Sequence, residues 1–150
     1  MFASELEMSE LFEKFIKLNF GNAYLKECQG LSGIPDYVFY DKKKENTSII
    51  AFELKLKNWK RAMRQAFRYR CFSNIVYVVL PEETAKSAKS NVSLFEQYNI
   101  GLATFNRDKD FNVVYKPQMS MPFSECLNVK ISEQIKSSRK KLKNSKILMN

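Results

Sequence analysis

The stretch Ile50-Ala51-Phe52-Glu53-Leu54-Lys55-Leu56 sets two charges inside an otherwise apolar run. Side chains of a strand alternate between its faces with a period of two. Ile49, Ala51, Glu53 and Lys55 therefore share one face, and Ile50, Phe52, Leu54 and Leu56 the other. A carboxylate and an ammonium then lie side by side on a strand otherwise fit for burial. That arrangement is costly unless the charges are paired or bound to something. An internal ion pair at a strand end is one resolution, and a functional site is the other.

Upstream, Gly33-Ile34-Pro35-Asp36 leads into a second strand over 37–40, and the polar run 41–48 can turn it back onto 49–56. Antiparallel pairing across that hairpin brings Asp36 toward Glu53 and Lys55. Downstream, 58–69 predicts a helix whose apolar face is Trp59, Ala62, Met63 and Ala66. Gln65 and Tyr69, four apart, share one edge of it, with Arg61, Arg64 and Arg68 as a stripe beside that edge. Such a stripe is commonly no more than a solvated face.

Pro35-Asp36 followed by Glu53-Leu54-Lys55 resembles the PD-(D/E)XK nuclease superfamily, and Gln65-x-x-x-Tyr69 resembles the motif that follows Glu-x-Lys in its RecB-like branch. The resemblance covers residues 5–105. It implies an α/β, restriction-endonuclease-like fold: a mixed central sheet flanked by helices. It also implies metal binding by Asp36 and Glu53, with the Leu54 carbonyl as a third ligand, and catalytic roles for Asp36, Glu53, Lys55 and Gln65. Lys55 would orient or polarise the attacking water. Related nucleases often add a first-helix glutamate, and Glu10 is the choice here from its distance to Gly21, although Glu5 lies nearer the apolar face. Tyr69 would back up the site or touch the sugar-phosphate chain. Arg61, Arg64 and Arg68 become a phosphate clamp beside such a site.

The composition is compatible with that chemistry and excludes several others. A chain of 150 residues, 45% hydrophobic, can build one substantial core. A net charge of +9 favours a polyanionic partner. The chain contains no histidine, which removes the usual acid–base group of serine and cysteine hydrolases and of histidine-ligated zinc enzymes. A carboxylate–lysine site survives, and its oxygen ligands suit magnesium or manganese. Cys28, Cys71 and Cys126 are odd in number and widely spaced, so a disulfide framework or zinc knuckle is not expected and a reducing cytoplasm fits. Neither a signal peptide nor a membrane span is expected.

Along the rest of the chain, Ser4 and Glu7 have the form of a capping box opening a helix with Met8, Leu11, Phe12, Phe15 and Ile16 on its apolar face. A short strand is expected over 23–28 and a buried one over 75–80. One helix should start at Pro81, burying Ala85, Ala88, Val92 and Phe95, with two further strands over 100–105 and 111–115. Residues 1–116 read as the nuclease-like core, and 117–150 as a basic helical extension packed on or trailing it. That extension carries a stripe through Ile131, Ile135 and Leu142. Lys140, within its basic cluster, is either a solvated helix end or a loose phosphate contact.

The expected function is a metal-dependent nuclease, with DNA favoured over RNA, acting alone, as a homodimer or within a larger complex. A non-catalytic nucleic-acid-binding module of the same fold and a ribonuclease-type effector are the alternatives.

Overall fold

The hairpin expected from the sequence lies near the middle of a six-stranded sheet in the computed structural model, which describes residues 1–150. Strands β1 (Tyr24–Lys26), β2 (Tyr37–Lys42) and β3 (Thr47–Leu54) form an antiparallel meander. Helix α2 (Trp59–Tyr69) then carries the chain to β4 (Ile75–Pro81), parallel to β3. Two short helices, α3 (Lys86–Ser90) and α4 (Val92–Tyr98), lead to β5 (Gly101–Phe105), parallel to β4, and β6 (Phe111–Tyr115) returns antiparallel. Strand order in the sheet follows sequence order, as expected when each connection is short. The fold is α/β, with a mixed sheet flanked by helices.

Helix α1 (Glu5–Asn19) covers one face, burying Met8, Phe12, Phe15 and Ile16. The Ser4 side chain accepts the Glu7 N–H at 3.1 Å, and the Glu7 carboxylate accepts the Ala3 N–H at 3.0 Å. The return bond thus lands one residue before the cap. Tyr37, Phe39, Ile50, Phe52, Leu54, Tyr77 and Val79 face α1, while Val38, Tyr40, Ile49, Ala51, Val76, Val78 and Leu80 face α2. The period-two division of the decisive strand is therefore realised, and both of its faces are covered.

Three expectations are corrected. The helix expected from Pro81 is interrupted: Pro81 ends β4, a 3₁₀ turn occupies Glu82–Thr84, and Asn91 (φ −115°, ψ 27°) separates α3 from α4. Ala85, Ala88 and Phe95 are still buried, because the broken segment turns the same apolar side to the sheet, whereas Val92, just after the break, is only half-buried. The hairpin loop is also shorter than the polar run suggests, since 41–42 and 47–48 pair as strand and only 43–46 turn. Finally, α5 (Glu125–Gln134) stops well before Leu142. The Lys42 ammonium donates to the carbonyls of Ile135, Lys136 and Ser138, in the turn just past the helix C-terminus, where a cation is favoured.

Beyond that point the chain changes face. Ile131 and Ile135 join the α2-side core, whereas Leu142 packs on the α1 side, where Leu148 and Met149 are buried. Tyr77 donates its hydroxyl to the Leu148 carbonyl at 2.6 Å. Residues 117–150 are thus packed into both layers. No helix is long and apolar enough to cross a membrane.

If the C-terminal segment completes the core, Leu148→Ala should destabilise the protein by about 2–5 kcal/mol, as for other buried leucines. Urea unfolding would measure it. A loss below about 0.5 kcal/mol, typical of surface positions, would mean that the segment merely rests on the core.

Candidate active site

Asp36 sits one residue before β2, where the β2–β3 ladder runs out. Its N–H donates to the Phe52 carbonyl at 3.0 Å, and its own carbonyl accepts the Glu27 N–H at 3.0 Å. Its Oδ2 then accepts the Leu54 N–H at 2.7 Å. A side chain thereby continues the ladder past the point where the backbone of β2 has left it. In a strand the N–H and C=O of one residue point to the same neighbour, so the Leu54 carbonyl also faces the Asp36 side.

Glu53 is 6% exposed and lies on the face covered by α2. The Tyr69 hydroxyl stands 2.6 Å from Glu53 Oε1 and 3.0 Å from the Ile34 carbonyl. Its single proton can serve only one of them at a time. Gly33 makes room for that ring: with φ at +77°, a Cβ there would lie 2.9 Å from Tyr69 Cε1. The loop before Asp36 is therefore shaped around the tyrosine.

No ion pair ties Lys55 to either carboxylate. Its ammonium is near enough to favour ionisation of both. The simple Glu53–Lys55 ion pair is therefore not the resolution that the fold adopts. Burial pushes Glu53 up to about 7, and the negative charge of Asp36 pushes in the same direction, against the Tyr69 hydrogen bond and Lys55. Burial likewise raises Asp36 to about 6, opposed by the Leu54 N–H. The Tyr69 phenol is raised well above its ordinary value by burial and by Glu53, so it stays protonated.

Gln65 lies one turn before Tyr69. Together with Gly33, Ile34 and Arg68 the two line a small cleft of about 270 Å³. The Gln65 Oε1 is buried without a hydrogen-bond partner, an uncommon state that demands a reason. Arg61 and Arg68 are exposed on the flank nearest Gln65. Arg64 leans the other way, into a pocket with Met63, Phe67, Tyr98 and Ile100.

Two sequence candidates lie elsewhere. Glu10 lines an outer cleft with Glu13, Lys14 and Lys17. Glu5 is instead the first-helix acid whose charge reaches both Asp36 and Glu53. It is seven residues before Phe12 and so shares that buried residue's face, whereas Glu10 is only two before it and points almost opposite. The helical wheel carried this signal, and distance to Gly21 did not. Lys140 borders a cleft with Tyr24, Leu25 and Tyr40, and Tyr40 pairs with Ile49 at the other end of the hairpin. The contributions of Gly33 and the Ile34 carbonyl had no sequence signal beyond the glycine itself.

No three Asp, Glu or Cys side chains converge as a ready-made metal cage. The pair does leave one oxygen of each carboxylate without a hydrogen bond. With the Leu54 carbonyl, that donor set fits magnesium, which commonly takes one or two carboxylates and completes its shell with water and phosphate. In comparisons with known proteins, no family model matches the chain, and no curated protein or solved structure does so either.

The raised carboxyls make stability depend on pH. A carboxyl whose folded pKa exceeds its unfolded value contributes stability below the unfolded pKa that is lost as pH rises through the folded one. For Glu53 this window runs from 4.5 to about 7. Glu53→Gln should therefore stabilise the protein at pH 8 by about 3 kcal/mol, at 1.36 kcal/mol per pKa unit over the 4.5-to-7 window, and by almost nothing at pH 4. Denaturant unfolding at the two pH values checks this, and an equal effect at both would mean that Glu53 is not held protonated.

Proposed function

We propose that this protein is a metal-dependent nuclease that hydrolyses phosphodiester bonds, with DNA favoured over RNA. The observation that carries this reading is the convergence of Asp36 and Glu53 beside Lys55, whose ammonium no ion pair consumes. Two acids and a lysine, without histidine, resemble the Pro-Asp and Glu-x-Lys pattern of PD-(D/E)XK nucleases, and the α/β architecture is consistent with it. Asp36 and Glu53 would hold magnesium or manganese through their unbonded oxygens, joined by the Leu54 carbonyl. Such a cation, when bound, supplies Lewis-acid neutralisation of the phosphate's charge.

The chain's own residues supply the rest. Tyr69 fixes the rotamer of Glu53 and lends it no negative charge. Lys55 presents an ammonium to the charge that develops on the scissile phosphate, where a preorganised cation is most effective. The Gln65 side-chain N–H groups and the Arg68 guanidinium border the cleft above Tyr69 and would donate to the substrate backbone. The charge of Glu5 reaches both acids without Glu5 joining them as a third ligand. Because Glu53 titrates near 7 and Asp36 near 6, cation binding competes with protons. It should strengthen from pH 6 to pH 8.

The absence of a third acid or thiol in the cluster favours one alternative, a nucleic-acid-binding module that cuts nothing. Purified protein incubated with plasmid, linear duplex, single-stranded DNA and RNA, with magnesium or manganese, separates the two. Cleavage is expected with at least one substrate. Lys55→Ala should slow it by about 100-fold or more, the usual cost of losing one preorganised charge-stabilising group, while binding changes little. Binding of wild-type protein without cleavage of any substrate in either metal would decide for the binding module.

A further inference from the structure

On the side of α2 away from the carboxylates, three aromatic rings stand in solvent. Phe67 and Tyr98 are each 39% exposed and Phe123 is 55% exposed. They come from α2, the end of α4 and the connector before α5, and they meet with ring centroids 5.7 Å (Phe67–Tyr98) and 5.6 Å (Phe67–Phe123) apart.

The cluster is braced. Arg70 stacks over Phe123 with its guanidinium 4.5 Å from the ring centroid, and over Phe67 at 5.8 Å. The same guanidinium donates to the Tyr98 carbonyl at 2.9 Å and to the Ser120 hydroxyl at 3.1 Å. An arginine is thus committed to holding exposed rings in place, and none of this is required to bury them. Beside the rings, Phe67, Tyr98, Met63, Ile100 and Arg64 line an open pocket of about 270 Å³.

Its surroundings indicate the occupant. Lys60, Arg61, Arg64 and Arg68 are exposed on the same helix, and residues 55–70 include seven basic side chains and no acid. A flat apolar guest with negative charge at regular intervals matches rings bordered by cations. Proteins that bind single strands combine stacking aromatics with a positive track in this way. A helix with its side chains is only about 10–12 Å across, so a strand over the arginines can reach both the pocket and the carboxylates.

We infer that the Phe67–Tyr98 pocket is a stacking site for an unpaired nucleobase, which makes single-stranded nucleic acid, or a single-stranded end, the substrate class of the neighbouring site. The inference rests on the nuclease reading for what happens to the strand after binding, but not for the binding itself. Paired bases keep their faces stacked inside a duplex and cannot enter.

The test measures binding of the full chain in EDTA, where cleavage cannot interfere, by fluorescence anisotropy. The probes are end-labelled 12-mers: oligo(dT), an abasic strand with the same phosphates, and a blunt duplex. Oligo(dT) should bind about 5-fold or more tightly than the abasic strand, since one stacked base is worth between about 5- and 150-fold. Phe67→Leu should remove most of that preference and leave the affinity for the abasic strand unchanged. Phe67→Trp should keep the preference and report the base by quenching of the new indole, which covers the case of a poorly folded leucine variant. Equal affinity for abasic and dT strands, or preference for the duplex, would overturn the inference. So would a concentration-dependent dimer that Phe67→Leu dissociates, because the rings would then serve a second copy of this chain. Base-dependent binding without cleavage of any substrate in magnesium or manganese would uphold the pocket and refute only the nuclease reading.

Discussion

The bond from the Leu54 N–H to the Asp36 carboxylate, 2.7 Å long, decides how the end of the hairpin is built. At that point β3 continues for two residues after β2 has ended its pairing at Tyr37 and Phe52. A buried N–H left over there would be costly. An aspartate side chain fills the place of the missing strand, so the acid is held by the same rule that holds a sheet together. Its second oxygen accepts no hydrogen bond.

Glu53 follows from that placement. It lies next to Leu54 on a face that packs against α2, so its carboxylate is taken out of water beside a second acid. The fold does not answer with an ion pair. It answers with a phenol held between Glu53 and the Ile34 carbonyl, which directs the carboxylate without neutralising it. The result is a pair of carboxyls whose affinities for protons lie close to neutrality. Such groups change their charge readily when a cation or a phosphate arrives, which is common at functional sites and uncommon at purely structural ones.

Much of this was legible in the sequence because it depends on parity and short spacing. The alternation through Glu53 and the turn before Thr47 together determined that Asp36 would meet Glu53, and i, i+4 spacing aligned Gln65 with Tyr69. Readings that depended on direction in space were less secure. Glu10 failed to reach the carboxylates because distance along a helix says nothing about angle around it. Lys140 lies at the far end of the hairpin because the chain leaves α5 at Ile135, where Lys42 from β2 holds the carbonyls of the turn that follows. No local pattern at Leu142 announces that break. The split of α3 from α4 at Asn91 was equally hidden, since the apolar spacing continues across it.

The return of residues 142–149 to the α1 face has a consequence for the timing of folding. Tyr77 donates its hydroxyl to the Leu148 carbonyl in the layer beneath α1, so that part of the layer stays open to water until the end of the chain is made. At about 5–20 residues per second, residue 148 follows residue 105 by roughly 2 to 9 s. The α2 layer needs nothing beyond Ile135 and can form earlier. During synthesis the protein therefore passes through a stage in which α1 already covers this sheet face but the part of it around Tyr77 is still open. A chaperone that shields aromatic surface would have that interval in which to act.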